Sequence, residues 1–159
     1  MSKTLRIIGL LLLAFLLGAQ FVRPAKTSPA VEEHRTLAAM MAVPAEVHNL
    51  LERACGDCHS HQTTWPWYSN VAPVSWLVVD HVNEGRRKLN LSDWAKYSPQ
   101  QARHKLEEIC DVVTSGEMPL QSYLLLHPDA KLTPDEVTAL CAWTKSAHQS
   151  LVEESSAEP

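Results

Sequence analysis

Two cysteines and a histidine in the run Cys55-Gly56-Asp57-Cys58-His59 constrain this chain more than any other feature. Positions i, i+3 and i+4 share one face of a helix, so a helical turn here points both thiols and the imidazole the same way. Gly56 and Asp57 then face away and carry no chemistry in this reading. The spacing suits a c-type haem: two thiols bond the vinyl groups of one porphyrin while His59 reaches its iron. Other uses of a C-x-x-C pair fit less well. A redox dithiol normally sits beside a βαβ pattern, and no convincing strand is readable. A zinc site needs a second compact pair of ligands, and Cys110 and Cys141 are not spaced as a pair.

The remaining sequence divides around that motif. Residues 1–6 carry Lys3 and Arg6, and residues 7–22 are apolar apart from Gln20. That is an export signal in form. As a helix, residues 7–22 would extend about 24 Å, short of a bilayer core of roughly 30 Å. No A-x-A cleavage pattern follows, and the bulky Leu17 stands before the best candidate cut after Ala19. The expectation is a signal or membrane anchor over 1–22, kept uncleaved, with the bulk of the chain outside the cytoplasm. Residues 23–43, with Pro24 and Pro29, read as a tether with some helix around 31–41. Residues 44–150 hold the helical domain, and 151–159 form a short acidic tail expected to be disordered.

Inside the domain the apolar period is helical. Val47, Leu50, Leu51 and Ala54 form a stripe running into Cys55, and Val74, Leu77, Val78, His81 and Val82 form another that ends at Gly85. Two helix starts carry capping Ser or Thr with Pro at the first helical position, at Ser98-Pro99 and Thr133-Pro134. The helices they open bury Leu106, Ile109, Cys110 and Val113, and then Val137, Leu140, Cys141 and Thr144, with Trp143 at the margin. Cys110 and Cys141 are read as either a disulfide or two buried thiols. Half of the aromatic residues are tryptophan, which suits a domain wrapping a large flat apolar ligand. Arg86, Arg87 and Lys88 read as a solvated basic cluster that can also pair with haem propionates. A net charge of −4 with no basic stripe argues against nucleic acid.

The second axial ligand is sought in Gly116-Glu117-Met118-Pro119. Gly ends a helix, and Pro keeps the residue before it extended, so Met118 is free to project its thioether. Met118 is the distal candidate beside the proximal His59; His81 and His127 are the alternatives. His/Met ligation raises a haem's potential relative to two imidazoles.

The order of these parts resembles a class I cytochrome c. More narrowly, the chain is similar to a small bacterial family of haem-binding domain proteins. The likeness is carried by Cys55 to Ser60, Trp65-Pro66-Trp67-Tyr68, Ala72-Pro73-Val74-Ser75-Trp76 and Gly85-Arg86. It continues through Leu89-Asn90-Leu91-Ser92-Asp93-Trp94, Met118-Pro119, Tyr123, His127-Pro128 and Leu132-Thr133. The resemblance implies an all-α, cytochrome c-like domain, one covalent haem c, and export to the periplasm before the haem is attached. The expected function is a membrane-tethered periplasmic electron carrier, held by residues 7–22, whose redox partner proteins are unnamed. No triad or phosphate loop is visible to suggest other catalysis. The rival is a haem enzyme or a gas or redox sensor with an open or displaceable sixth position, where His61, His81 or His127 would do acid-base work.

Overall fold

The apolar periods fold as helices throughout. The computed structural model describes residues 3–157, and no strand occurs among them. The helices are α1 (Lys3–Ala19), α2 (Leu37–Met40), α3 (Ala45–His59), α4 (Val74–Lys88), α5 (Pro99–Thr114), α6 (Gln121–Leu124) and α7 (Pro134–Ala157). Short 3-10 turns lie at Glu33–Arg35, Trp67–Asn70, Leu91–Lys96 and Pro128–Ala130. Residues 1–2 of the expected anchor and 158–159 of the expected tail lie outside the described residues.

The core forms where α3, α5 and α7 turn their apolar faces together. Val47 and Leu51 of α3 meet Ala102, Leu106, Ile109 and Val113 of α5, and Leu140, Trp143 and Ala147 of α7. All four residues of the α3 stripe are buried. Burying a side chain of Leu or Val size stabilises by about 1.5–3 kcal/mol, so this face holds the haem motif's helix in place. Trp143 is not marginal. It lies in the core because its indole N–H donates to the carbonyl of Ala42 at 3.0 Å, which satisfies its one polar atom. Cys110 and Cys141 are joined as a disulfide between α5 and α7.

The legible caps fold as read. The Ser98 hydroxyl accepts from the Gln101 amide, and the Gln101 side chain accepts from the Ser98 amide. Thr133 and Glu136 repeat the exchange at the start of α7. Gly116, at φ 76°, takes the left-handed conformation that ends α5. Three readings need correction. α4 does not stop at Gly85 but continues to Lys88, and α7 continues through Ala157, so residues 153–157 are helical. Arg86 is not solvated. It is buried, and its guanidinium donates to the carbonyls of Ser60 and Thr27 and to the Thr63 hydroxyl, at 2.7–2.8 Å.

That Arg86 contact reports on the N-terminal segment. Residues 20–36 run over the domain as a strap, and the helix expected around 31–41 is present as Glu33–Arg35 and α2. Gln20 exchanges two hydrogen bonds with the backbone of Ala72, both 3.1 Å. The Trp76 indole donates to the Val22 carbonyl at 2.7 Å, Lys26 to Asn70 at 2.6 Å, and Arg35 pairs with Asp93 at 2.6 Å. Before the strap, α1 ends at Ala19 rather than running to Val22, and its large apolar side chains are exposed. Among the described residues, no helix is long and apolar enough to cross a membrane.

A candidate haem site

The last turn of α3 carries Cys55, Cys58 and His59, as the spacing predicts. What fixes the turn is its contact with α4. A Cβ built on Gly85 would lie 2.5 Å from the carbonyl oxygen of Cys58, so only glycine lets the two backbones meet this closely. Gly85 therefore serves close approach and not a helix stop. The approach brings the end of α4 onto the imidazole: His59 Nδ1 lies 3.0 Å from the carbonyl oxygens of both Gly85 and Leu89. Both partners can only accept, so Nδ1 carries the proton and donates. The remaining nitrogen, Nε2, keeps its lone pair. Burial holds the His59 pKa below its usual range, which keeps the ring neutral. A neutral imidazole oriented through Nδ1 by backbone carbonyls is the arrangement a metal-binding histidine needs.

The thiols differ in setting. Cys55 packs against the core and Cys58 faces a cleft. Burial pushes the Cys55 thiol up to about 12, and burial together with the Asp57 carboxylate pushes Cys58 up to about 11. Both are protonated at neutral pH.

The cleft beside Cys58 has a volume of about 170 Å³ and is largely apolar. α4 contributes Val74, Leu77, Val78, His81 and Val82 to it, and the chain around α6 contributes Leu120, Tyr123 and Leu126. Of the stripe predicted for α4, only Val82 is therefore core. The core face of α4 is Ser75, Val79, Val82, Gly85 and Arg86, while Leu77 is 60% exposed. Of the three motif residues only Cys58 lines this cleft, and its open apolar wall fits a large flat apolar group. None of the five tryptophans lines this cleft. Trp94 and Trp143 belong to the core instead, and Trp65 and Trp76 bond to the strap.

Asp57, read as idle, is a hub. Its carboxylate accepts from the Tyr123 hydroxyl at 2.7 Å and from the Thr64 amide at 2.9 Å. Tyr123 stacks on His127 at 4.2 Å, and His127 shares a 2.8 Å hydrogen bond with the Tyr68 hydroxyl. Burial, then Asp57, raises the pKa of both tyrosines, so they stay neutral donors. The group ties the α6 region to the haem motif. A tyrosine and a motif carboxylate separated by 66 residues give no periodic signal.

The histidine candidates separate. His127 is occupied as described, and His61 is occupied with Asn90 and Ala30 of the strap side. His81 lines the cleft, is exposed and has no hydrogen-bond partner among the described residues. Met118 is half-buried, its amide donates to the Val112 carbonyl at 3.0 Å, and it stands two residues before Leu120 of the cleft wall.

Residues 14–146 match the haem-binding domain family. This chain belongs to that family, and haem is the group its site is built for. No curated protein and no solved structure matches the chain.

Proposed function

We propose that the protein is a periplasmic c-type cytochrome that carries electrons, attached to the membrane through its N-terminal segment. Cys55 and Cys58 hold the haem covalently, His59 is its proximal ligand and Met118 its distal one. The observation that carries this reading is His59. Its Nδ1 is committed to two backbone carbonyls and its Nε2 is left for iron, and its neighbour in the chain, Cys58, lines an apolar cleft. Haem supplies reversible one-electron chemistry at its iron.

The chain's own residues do the rest. The Gly85 and Leu89 carbonyls orient His59 and raise its basicity. Val74, Leu77, Val78 and Leu126 give the cleft its apolar surface, and the Asp57–Tyr123 bond holds the α6 region against the motif. Met118 is supported by its place: Gly116 turns the chain out of α5, and the residues after Met118 enter the cleft wall. A filled sixth position suits a carrier, because no substrate then reaches the metal. The unpaired His81 beside the cleft favours a second reading, a sensor or enzyme whose sixth position opens.

Acid-acetone extraction and an absorption spectrum decide between them. The expected result is colour that stays with the polypeptide and is lost in Cys55→Ala/Cys58→Ala. A red-end band from Met-to-iron ligation should accompany it and disappear in Met118→Ala. Extractable haem would sink the covalent attachment. A high-spin ferric spectrum that shifts on adding cyanide would replace the carrier with the sensor or enzyme.

A further inference from the structure

From Ile7 to Ala19, α1 is apolar on every side. Helices of that kind belong in a hydrocarbon phase, because no polar face is left for water. Its end is fixed to the domain: Gln20 to Ala72, Val22 to Trp76, Lys26 to Asn70 and Thr27 to Arg86. The bonds to Ala72, Trp76 and Asn70 gather on the turn that opens α4 and the one to Arg86 holds its last turn, so the domain cannot swing about the base of α1. Around that base stand Phe21 at 90% exposure, Val22 at 63%, Trp67 at 77% and Val71 at 44%. None of the four lines the cleft. Arg23 and Lys26 lie among them. Aromatic and aliphatic side chains mixed with cations, next to an apolar helix, match the chemistry of a bilayer's interfacial layer.

We propose that Phe21, Val22, Trp67 and Val71 form a collar that seats in the interfacial layer of a phospholipid bilayer. The rigid base of α1 then sets the domain's orientation. Val74 and Leu77, which line the cleft, follow Val71 directly on α4, so the cleft opens at the membrane surface. Electrons would enter or leave at that surface. The inference rests on the reading that residues 7–22 remain in the mature chain and in the membrane.

The test uses the haem-loaded full chain in nanodiscs of phosphatidylethanolamine and phosphatidylglycerol. With Cys55 and Cys58 bonded to haem and Cys110 bonded to Cys141, Val71→Cys adds the one free thiol, which takes a benzophenone label. Gln100→Cys, exposed at the start of α5, is the control. After illumination, mass spectrometry should find lipid adducts at position 71 in at least about tenfold excess over position 100. Gln20→Ala/Trp76→Phe should remove most of that excess while the chain stays in the disc. Equal adducts at 71 and 100 overturn the collar, and an excess that survives the double variant overturns its fixed orientation. A mature chain whose mass begins beyond Phe21 overturns both the collar and the anchor beneath it.

Discussion

Gly85 shows how one missing methyl group shapes the site. Its carbonyl accepts from His59 Nδ1, and its bare Cα lets α4 touch the backbone of Cys58. The obstructing atoms are backbone, which cannot rotate away. Gly85→Ala is therefore expected to force α4 off α3 and to destabilise the haem-free chain by about 1–3 kcal/mol in urea unfolding. Wild-type stability in that variant would mean the helices are not in contact there. The motif itself was fully legible, because i, i+3, i+4 geometry is local. Asp57 was not. Its partner Tyr123 reaches it only after the chain has folded back.

At the scale of elements, α7 and α3 are coupled through one carboxylate. Glu136 completes the Thr133 cap with one oxygen and pairs with Arg53 of α3 at 2.5 Å with the other. Arg53 also donates to the Asp129 carbonyl, so the chain before α7 is drawn onto the haem helix. The Thr133 amide, and then its hydroxyl and Arg53, hold the Glu136 carboxyl below the usual carboxylate range. A depressed folded value stabilises above the unfolded value, near pH 4.3, and that contribution is lost as pH falls through the folded one. Glu136→Gln should lower the urea midpoint at pH 6, and the difference from wild type should shrink as pH falls below about 4. A gap that does not narrow in acid would assign the effect to packing instead. Both caps were readable in advance, since Ser98 to Gln101 and Thr133 to Glu136 are neighbours in sequence. The α4 stripe was readable as a helix face, but not as a face turned to a cleft. Periodicity gives an apolar side without saying what covers it.

For the whole molecule, Arg86 is the joint between the N-terminal strap, the segment after the haem motif and α4. Its acceptors come from residues 27, 60 and 63. Arg86→Met leaves those groups without their donor, a loss of about 2–4 kcal/mol. The strap should then open locally. Tryptic cleavage after Lys26 is expected to become about tenfold faster or more, read by mass spectrometry on the otherwise folded chain. An unchanged rate would mean that Gln20 and Trp76 hold the strap without Arg86. The sequence marked 23–43 as linker because Pro24, Pro29 and scattered polar residues show no period. An extended strap held by side chains from elsewhere has no period to show.

By itself the sequence determined what depends on neighbours along the chain. The helical class, the α3 and α5 core stripes, the caps and the convergence of Cys55, Cys58 and His59 all follow from spacings of three or four residues. Tertiary structure decided what depends on groups brought together from far apart. It chose the disulfide between Cys110 and Cys141, buried Arg86 under the strap and turned the Val74–Leu77 face toward a cleft. Most consequentially, it protonated one nitrogen of His59. The motif could present an imidazole to iron, but only the carbonyls of Gly85 and Leu89, 26 and 30 residues away, fix which nitrogen keeps the lone pair.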